Sequence, residues 1–276
     1  MLLNTYQKVC IAFLGVLIIF WIALFASGSK EGLYNDLYAF LYGLIPLFGG
    51  IAAVTGYKKW GGLSTILGRG ILFMGLGLFL WGVGESIWAY YNFFLDVGIP
   101  YPSWADLFFA PSVFCYTLGA IFIARTTGTR FALKRLSGKV FLILVPIAAL
   151  IVTYYVIVVI GRGGQLISDD TSVLKSILDV AYPLGDAISL AVSIVVAGLS
   201  FKYIGGLYKY DIMGILLGLA LMFVADSIFS YTTTIGTAYN GGWGDLIFTF
   251  GIFFLTCGLL GFNKLKNPGS DEVVAV

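Results

Sequence analysis

Long apolar segments recur along the whole chain and are separated by short polar stretches. Eight of them approach the roughly 20 residues that an α-helix needs to cross a bilayer. They cover residues 9–26, 37–54, 70–92, 104–124, 140–160, 177–201, 212–235 and 243–262. The pattern predicts an all-α membrane protein with eight transmembrane helices, surrounded by lipid.

Composition supports this prediction and excludes several classes of protein. Of the 276 residues, 59% are hydrophobic and only 11% are charged, whereas about a quarter are charged in soluble domains. The net charge of +2 gives no reason to expect a nucleic-acid partner. Because the chain contains no histidine, histidine-based catalytic triads, metal sites and haem ligation are excluded. We expect no cofactor and no enzymatic activity, and we leave open whether a metal binds.

The basic residues are distributed unevenly between alternate loops. Three of the 16 Lys and Arg residues, Lys30, Arg162 and Lys175, fall on one side of the predicted bundle, and the others fall on the opposite side. By the positive-inside rule, the richer side is cytoplasmic, and both termini lie there. The first segment also resembles a cleaved signal peptide, but we favour a retained helix because the fifth segment occupies the equivalent place in the second half. This predicts a multi-pass protein of the cell membrane.

Two halves of the sequence resemble each other. The segment Gly84–Trp88 (GESIW) matches Ala225–Phe229 (ADSIF), which places Glu85 and Asp226 141 residues apart. The segments 104–108 (WADLF) and 243–247 (WGDLI) match at an offset of 139 residues. We therefore predict two parallel four-helix units, residues 1–135 and 136–263, related by a pseudo-two-fold axis along the membrane normal. Residues 264–276 would form a short polar cytoplasmic tail.

Polar side chains within the outer half of the predicted spans are candidates for a ligand or cation site, because ionisable groups are costly inside a membrane. Asp179, Tyr182 and Asp186 share one helical face, and Pro183 cannot donate a hydrogen bond to the Asp179 carbonyl. Without a basic partner, such acids should hold a cation or remain protonated. The candidate residues are Glu85, Asp106, Asp179, Tyr182, Asp186, Asp226, Ser227 and Asp245.

Structural roles compete with this interpretation. Asp106 follows Ser103 in an S-x-x-D capping pattern, and Asp245 also lies near a predicted helix start. Glu85 and Asp226 could instead form hydrogen bonds between helices. Span six could simply be a kinked helix. The many aromatic residues at the outer helix ends fit either an interfacial belt or the wall of an outward-facing pocket.

Three motifs give a family resemblance. Tyr101-Pro102-Ser103-Trp104-Ala105-Asp106 contains P-S-x-A-D, Tyr182-Pro183-Leu184-Gly185-Asp186 is Y-P-x-G-D, and Val224-Ala225-Asp226-Ser227 follows. In this order they resemble a poorly characterised prokaryotic membrane module that is often fused ahead of diguanylate cyclase, phosphodiesterase or histidine kinase domains. Glu85 departs from the pattern, which has Gly-Asp there. The resemblance implies a sensory or regulatory input module.

The sequence leaves three functions open. The leading hypothesis is a membrane sensor that binds an unknown ligand or cation from outside and signals through a separate cytoplasmic protein. An ion-coupled transporter is the second, since the internal repeat and the acids within the spans are typical of carriers. An assembly scaffold is the third. We expect an outward pocket closed from below in a sensor, and a cavity reaching each membrane face in turn in a transporter.

Overall fold

The computed structural model describes residues 3–95, 102–126, 134–167, 173–200 and 208–263. Within these ranges the chain is helical and contains no strand. Its main helices are α1 (Thr5–Ser27), α2 (Leu33–Gly56), α3 (Ile66–Tyr90), α4 (Asp106–Arg125), α5 (Leu136–Thr153), α6 (Val173–Ser200), α7 (Lys209–Thr234) and α8 (Trp243–Gly261). Short π-helical segments extend α3 to Leu95 and α5 to Gly161.

The prediction of eight apolar helices is confirmed. With these extensions, each of the eight is long and apolar enough to cross a membrane. The helices begin and end within a few residues of the predicted spans. Pro183 lies inside α6, which continues without a break beyond it. The predicted tail after residue 263 lies outside the described residues.

Helix burial follows the expected contrast between core and lipid. α8 is the most enclosed of the eight helices, whereas α1 and α5 are the least enclosed. Large apolar side chains such as Ile143 and Ile151 on α5 point away from the protein. Because no water competes in the hydrocarbon region, these exposed side chains suit contact with acyl chains.

The helix pairs α3–α4 and α7–α8 pack through matching glycine contacts. A Cβ atom at Gly77 would lie 2.6 Å from the Tyr116 backbone nitrogen, and one at Gly218 would lie 2.8 Å from that of Leu255. These residues correspond at the offsets of 141 and 139 residues that relate the two halves. Small residues at these positions allow the two backbones in each pair to approach closely.

Contacts across the two halves also correspond. α4 packs against α6, and α8 packs against α2. The predicted axis would relate these two contacts, because it would exchange α4 with α8 and α2 with α6. The outermost helices differ, because α1 contacts α8 and α2, whereas α5 and its π-helical extension contact α6 and α7. The matching contacts therefore involve the six inner helices, and the full four-helix repeat stays a prediction.

Candidate functional site

A cavity of about 900 Å³ lies in the half of the bundle that the sequence predicts to face outward. We call it the outer cavity. Its lining includes six acidic and three basic side chains, namely Glu85, Asp106, Asp179, Asp186, Asp226, Asp245, Lys30, Arg162 and Lys175. All three basic residues that the sequence predicts to be outside are therefore among the lining residues. Residues widely spaced in the sequence meet here because seven helices, α2 to α8, contribute to one space.

Seven of the eight candidate residues line the outer cavity, and Ser227 does not. The Ser227 hydroxyl donates a hydrogen bond to the backbone oxygen of Phe223 at 2.8 Å. This bond within one helical turn satisfies the hydroxyl locally. Ser227 therefore belongs to the wall of α7 and does not contribute a polar group to the cavity.

Two of the sequence motifs are joined directly. The Tyr182 hydroxyl donates a hydrogen bond to Asp106 Oδ1 at 2.6 Å. The other oxygen, Oδ2, accepts a hydrogen bond from the Ser103 backbone nitrogen at 2.6 Å. Asp106 thus fixes the turn before α4 and also holds α6 beside it. The capping and cavity-lining interpretations of Asp106 are compatible.

The third motif joins the same region through a pair of acids. The carboxyl groups of Asp186 on α6 and Asp226 on α7 are hydrogen-bonded to each other. Two carboxyl groups can share such a bond only when one of them carries a proton. Among the described residues, no group of three or more potential ligands is arranged to hold a metal ion. The hydrogen bond between Asp186 and Asp226 therefore requires one proton on the pair.

Arg162 satisfies the carbonyl that Pro183 leaves without a helical donor. Its Nη1 atom donates to the Asp179 backbone oxygen at 2.8 Å and lies 3.6 Å from Asp179 Oδ1. Its Nε atom approaches the Ser230 hydroxyl oxygen at 3.4 Å. The expectation that the acids lack a basic partner is therefore wrong for Asp179. A side chain from the end of the fifth span supplies the cation.

Glu85 lies at the opposite end of the outer cavity, against α2. It is buried, with 4% of its surface exposed, and its Oε1 atom accepts a hydrogen bond from the Tyr42 hydroxyl at 3.3 Å. A Cβ atom at Gly43 would lie 2.7 Å from the Glu85 Cβ. Gly43 therefore makes room for the glutamate between α2 and α3.

Asp245 faces the same end of the cavity from the first turn of α8. Its Oδ2 atom accepts a hydrogen bond from the Gly241 backbone nitrogen at 2.6 Å, in agreement with the capping interpretation. Asp245 is close enough to Glu85 and to Tyr42 for an electrostatic interaction with each of them. The cap therefore also contributes a carboxylate to the outer cavity.

Aromatic rings form much of the wall between the two ends. Trp81 packs against Tyr42, Phe109 and Phe248, with ring centroids 5.5–5.9 Å apart. Trp88 contacts Phe109 and Phe229. Other outer aromatics, including Tyr90, Phe94 and Trp104, are largely exposed. The outer aromatic residues therefore divide into a set that lines the cavity and an exposed set that fits an interfacial belt.

Sequence reasoning missed Arg162, Tyr42 and Trp81 as individual lining residues. Arg162 carried a usable signal, because it is one of only three bases on the predicted outer side. Tyr42 and Trp81 carried none that distinguishes them from the many other aromatic residues in the spans. Their place in the cavity depends on how α2 and α3 pack.

Comparison with known proteins does not add a relationship. The chain matches no protein-family model, no curated protein and no solved structure. The likeness to a signalling input module therefore rests on the motifs alone and stays a prediction.

Proposed function

We propose that this protein is the ligand-binding input module of a membrane signalling system. It takes a small molecule from the outer side and transmits binding to a separate cytoplasmic protein, without catalysing a reaction. The observation that carries this proposal is the convergence of the motif acids and all three outer bases in one aromatic-walled cavity. Concave sites with apolar walls and a few convergent polar groups are typical of small-molecule binding.

The packing below the outer cavity favours sensing over transport. A Cβ atom at Gly119 would lie 2.5 Å from the Met74 backbone nitrogen, and one at Gly258 would lie 2.5 Å from the Asp211 backbone oxygen. Met74 and Leu219 are fully buried in this half. Close helix contacts of this kind support a cavity closed towards the cytoplasm, as we expect of a sensor.

Helix α7 offers a physical link between the two sides. Asp226 lies in its outer half, and Asp211 lies in its first turn, roughly 22 Å away at 1.5 Å per residue. The Gln7 amide of α1 donates to Asp211 Oδ1 at 2.9 Å. A ligand that alters the Asp186–Asp226 contact would shift α7 relative to α6. That shift would reach the cytoplasmic end of α1, where a partner protein could detect it.

A thermal-unfolding screen of small molecules on the purified protein tests this proposal, because a ligand that binds the folded state stabilises it. Thr233→Trp adds bulk to the cavity lining, whereas Val224→Trp adds it on an exposed surface of the same helix. We expect stabilising ligands to lose their effect in Thr233→Trp and to keep it in Val224→Trp. Ligands that stabilise both variants equally, or a broad screen without any stabiliser, would contradict an outer binding site.

An ion-coupled transporter is the second candidate, and the hydrogen-bonded pair Asp186–Asp226 is the observation that favours it. A proton held between two acids inside a membrane is the kind of ion that a carrier couples to its substrate. Proton uptake by proteoliposomes, driven by a ligand found in the screen and abolished by Asp226→Asn, would favour transport. Binding without proton movement would favour sensing.

A further inference from the structure

The two ends of the outer cavity differ in charge compensation. At the end lined by α6, Asp179 is paired with Arg162. Asp186 shares a hydrogen bond with Asp226, and the positive charge of Arg162 also lies near Asp186. At the α2 end, Glu85 and Asp245 lie close to each other. No ion pair reaches either of these two acids from the described part of the chain.

Each of these two acids has an unused oxygen. Glu85 Oε1 accepts from Tyr42, and Asp245 Oδ2 accepts from the Gly241 backbone nitrogen. Within the described ranges, no donor is hydrogen-bonded to Glu85 Oε2 or Asp245 Oδ1. Glu85 is nevertheless 96% buried, since only 4% of its surface is exposed. The free oxygen of Glu85 is not fully enclosed by protein and opens on the outer cavity, where a ligand can donate a hydrogen bond to it.

Lys30 does not provide that compensation. It follows α1, as Arg162 follows α5, and both line the outer cavity. The Lys30 ammonium lies over the ring of Tyr239, 5.8 Å from its centroid, and forms no ion pair with Glu85 or Asp245. Among the described residues, the acids at one end of the cavity therefore have a basic partner, and Glu85 and Asp245 at the other end have none.

The aromatic rings beside Glu85 on α3 are suited to a cation. Trp81, Glu85 and Trp88 lie at successive turns of α3 and all line the cavity, so the two indoles flank the carboxylate along one helical face. Tryptophan is the best aromatic partner for a cation, and its faces also accommodate apolar groups. Free carboxylate oxygens accept hydrogen bonds, which favours a cation that carries N–H donors.

We infer that Glu85 and Asp245 bind the protonated amine of a ligand whose apolar body lies against Trp81 and Trp88. The ligand class is therefore an alkyl- or arylalkylammonium compound. This inference rests on the proposed function and specifies the ligand of the same cavity. The amine donates hydrogen bonds to Glu85 Oε2 and Asp245 Oδ1. It has the same role at this end of the cavity as the Arg162 guanidinium has at the other end.

Phenethylamine is a suitable probe, and 2-phenylethanol is its uncharged counterpart of nearly equal shape. We expect phenethylamine to raise the unfolding temperature of the wild-type protein in detergent at fixed ionic strength, and 2-phenylethanol to have little effect. Glu85→Gln and Asp245→Asn should each weaken the apparent affinity for phenethylamine at least tenfold. Glu31→Gln removes an exposed acid from the same outer side and should leave the affinity unchanged.

Equal stabilisation by the amine and the alcohol would overturn the inference, and so would an amine affinity within twofold of wild type in both cavity variants. If Glu85→Gln does not fold, Asp245→Asn alone decides, because this residue is only partly buried. The result also separates this inference from the proposed function. If other ligands lose their effect in Thr233→Trp while phenethylamine does not bind, only the ammonium subsite is wrong. If no ligand responds to Thr233→Trp, the outer binding site itself is wrong.

Discussion

The hydroxyl of Tyr182 donates to the carboxylate of Asp106 at 2.6 Å, and this bond joins two sequence motifs that lie on different helices. Asp106 begins α4, and Tyr182 lies within α6. Asp186, four residues beyond Tyr182, bonds to Asp226 on α7. The three motifs thus link α4 to α6 through one bond and α6 to α7 through a second. This arrangement gives a structural reason for their occurrence in one chain.

Tyr182→Phe tests the first link in this connection. It removes one hydrogen bond and retains the aromatic ring. We expect a loss of about 1 kcal/mol in the free energy of unfolding, the scale of hydrogen bonds between helices in membrane proteins. Reversible unfolding in mixed micelles measures this change. In Asp106→Asn the acceptor is weaker, so adding Tyr182→Phe should cost less than it does in the wild type. Unchanged stability in Tyr182→Phe would show that the bond contributes nothing, and additive losses in the double variant would show that the carboxylate is no better an acceptor than the amide.

Arg162→Met tests whether the cation stabilises the α6 end of the cavity. The variant leaves the Asp179 carbonyl without this donor and removes the nearby positive charge from its carboxylate. Because hydrogen bonds involving charged groups contribute about 1.5–3 kcal/mol, we expect a destabilisation in that range. Arg162→Lys keeps the charge but loses the planar fork, so it should recover part of the stability. Wild-type stability in Arg162→Met would contradict this role.

The matched glycines test the correspondence between the two halves. Gly77→Leu and Gly218→Leu both force a side chain into a close helix contact, and overpacking of this kind costs about 1–3 kcal/mol. We expect similar losses of thermal stability for the two variants. Gly15→Leu is the control, because nothing lies within 4 Å of a Cβ atom at Gly15. A large effect at one matched position with none at the other would contradict equivalent packing.

Cysteine labelling in intact cells tests the predicted orientation. Gln165 and Ser64 are both exposed, at opposite ends of the bundle. In a background where the three native cysteines are replaced by alanine, Gln165→Cys should react with a membrane-impermeant maleimide from outside. Ser64→Cys should react only after the cells are permeabilised. The reverse pattern would place both termini outside.

The sequence predicted the helices well because a spanning segment is defined by its own length and hydropathy. It also predicted which acids line the outer cavity, because each stands out against an apolar surrounding. It did not predict the partner of Asp179, since Arg162 lies outside the predicted spans and its long side chain reaches back to α6. The sequence placed Ser227 among the cavity residues, but it does not line the cavity. A serine on a helix can bond to its own backbone as readily as face a cavity.

The sequence also did not predict that the acids divide between two ends of the outer cavity. Glu85 and Asp226 correspond in the sequence match between the two halves, yet Glu85 bonds to Tyr42 whereas Asp226 bonds to another acid. This difference depends on which residue of the neighbouring helix faces each acid. A shift of one position along α2 or α6 changes that residue. The spacing of apolar residues along a helix does not determine which residue of a neighbouring helix it contacts.

The central claim is that the outer cavity opens outward and is closed towards the cytoplasm. Chemical modification of Ser230→Cys tests it most directly, because Ser230 lines this cavity and contacts Arg162. The measurement compares modification by a membrane-impermeant thiosulfonate in right-side-out and inside-out vesicles, in the same cysteine-free background. We predict rapid modification from the outer side and none from the cytoplasmic side, in the presence and absence of added amine. Modification from the cytoplasmic side would contradict an outward cavity closed from below.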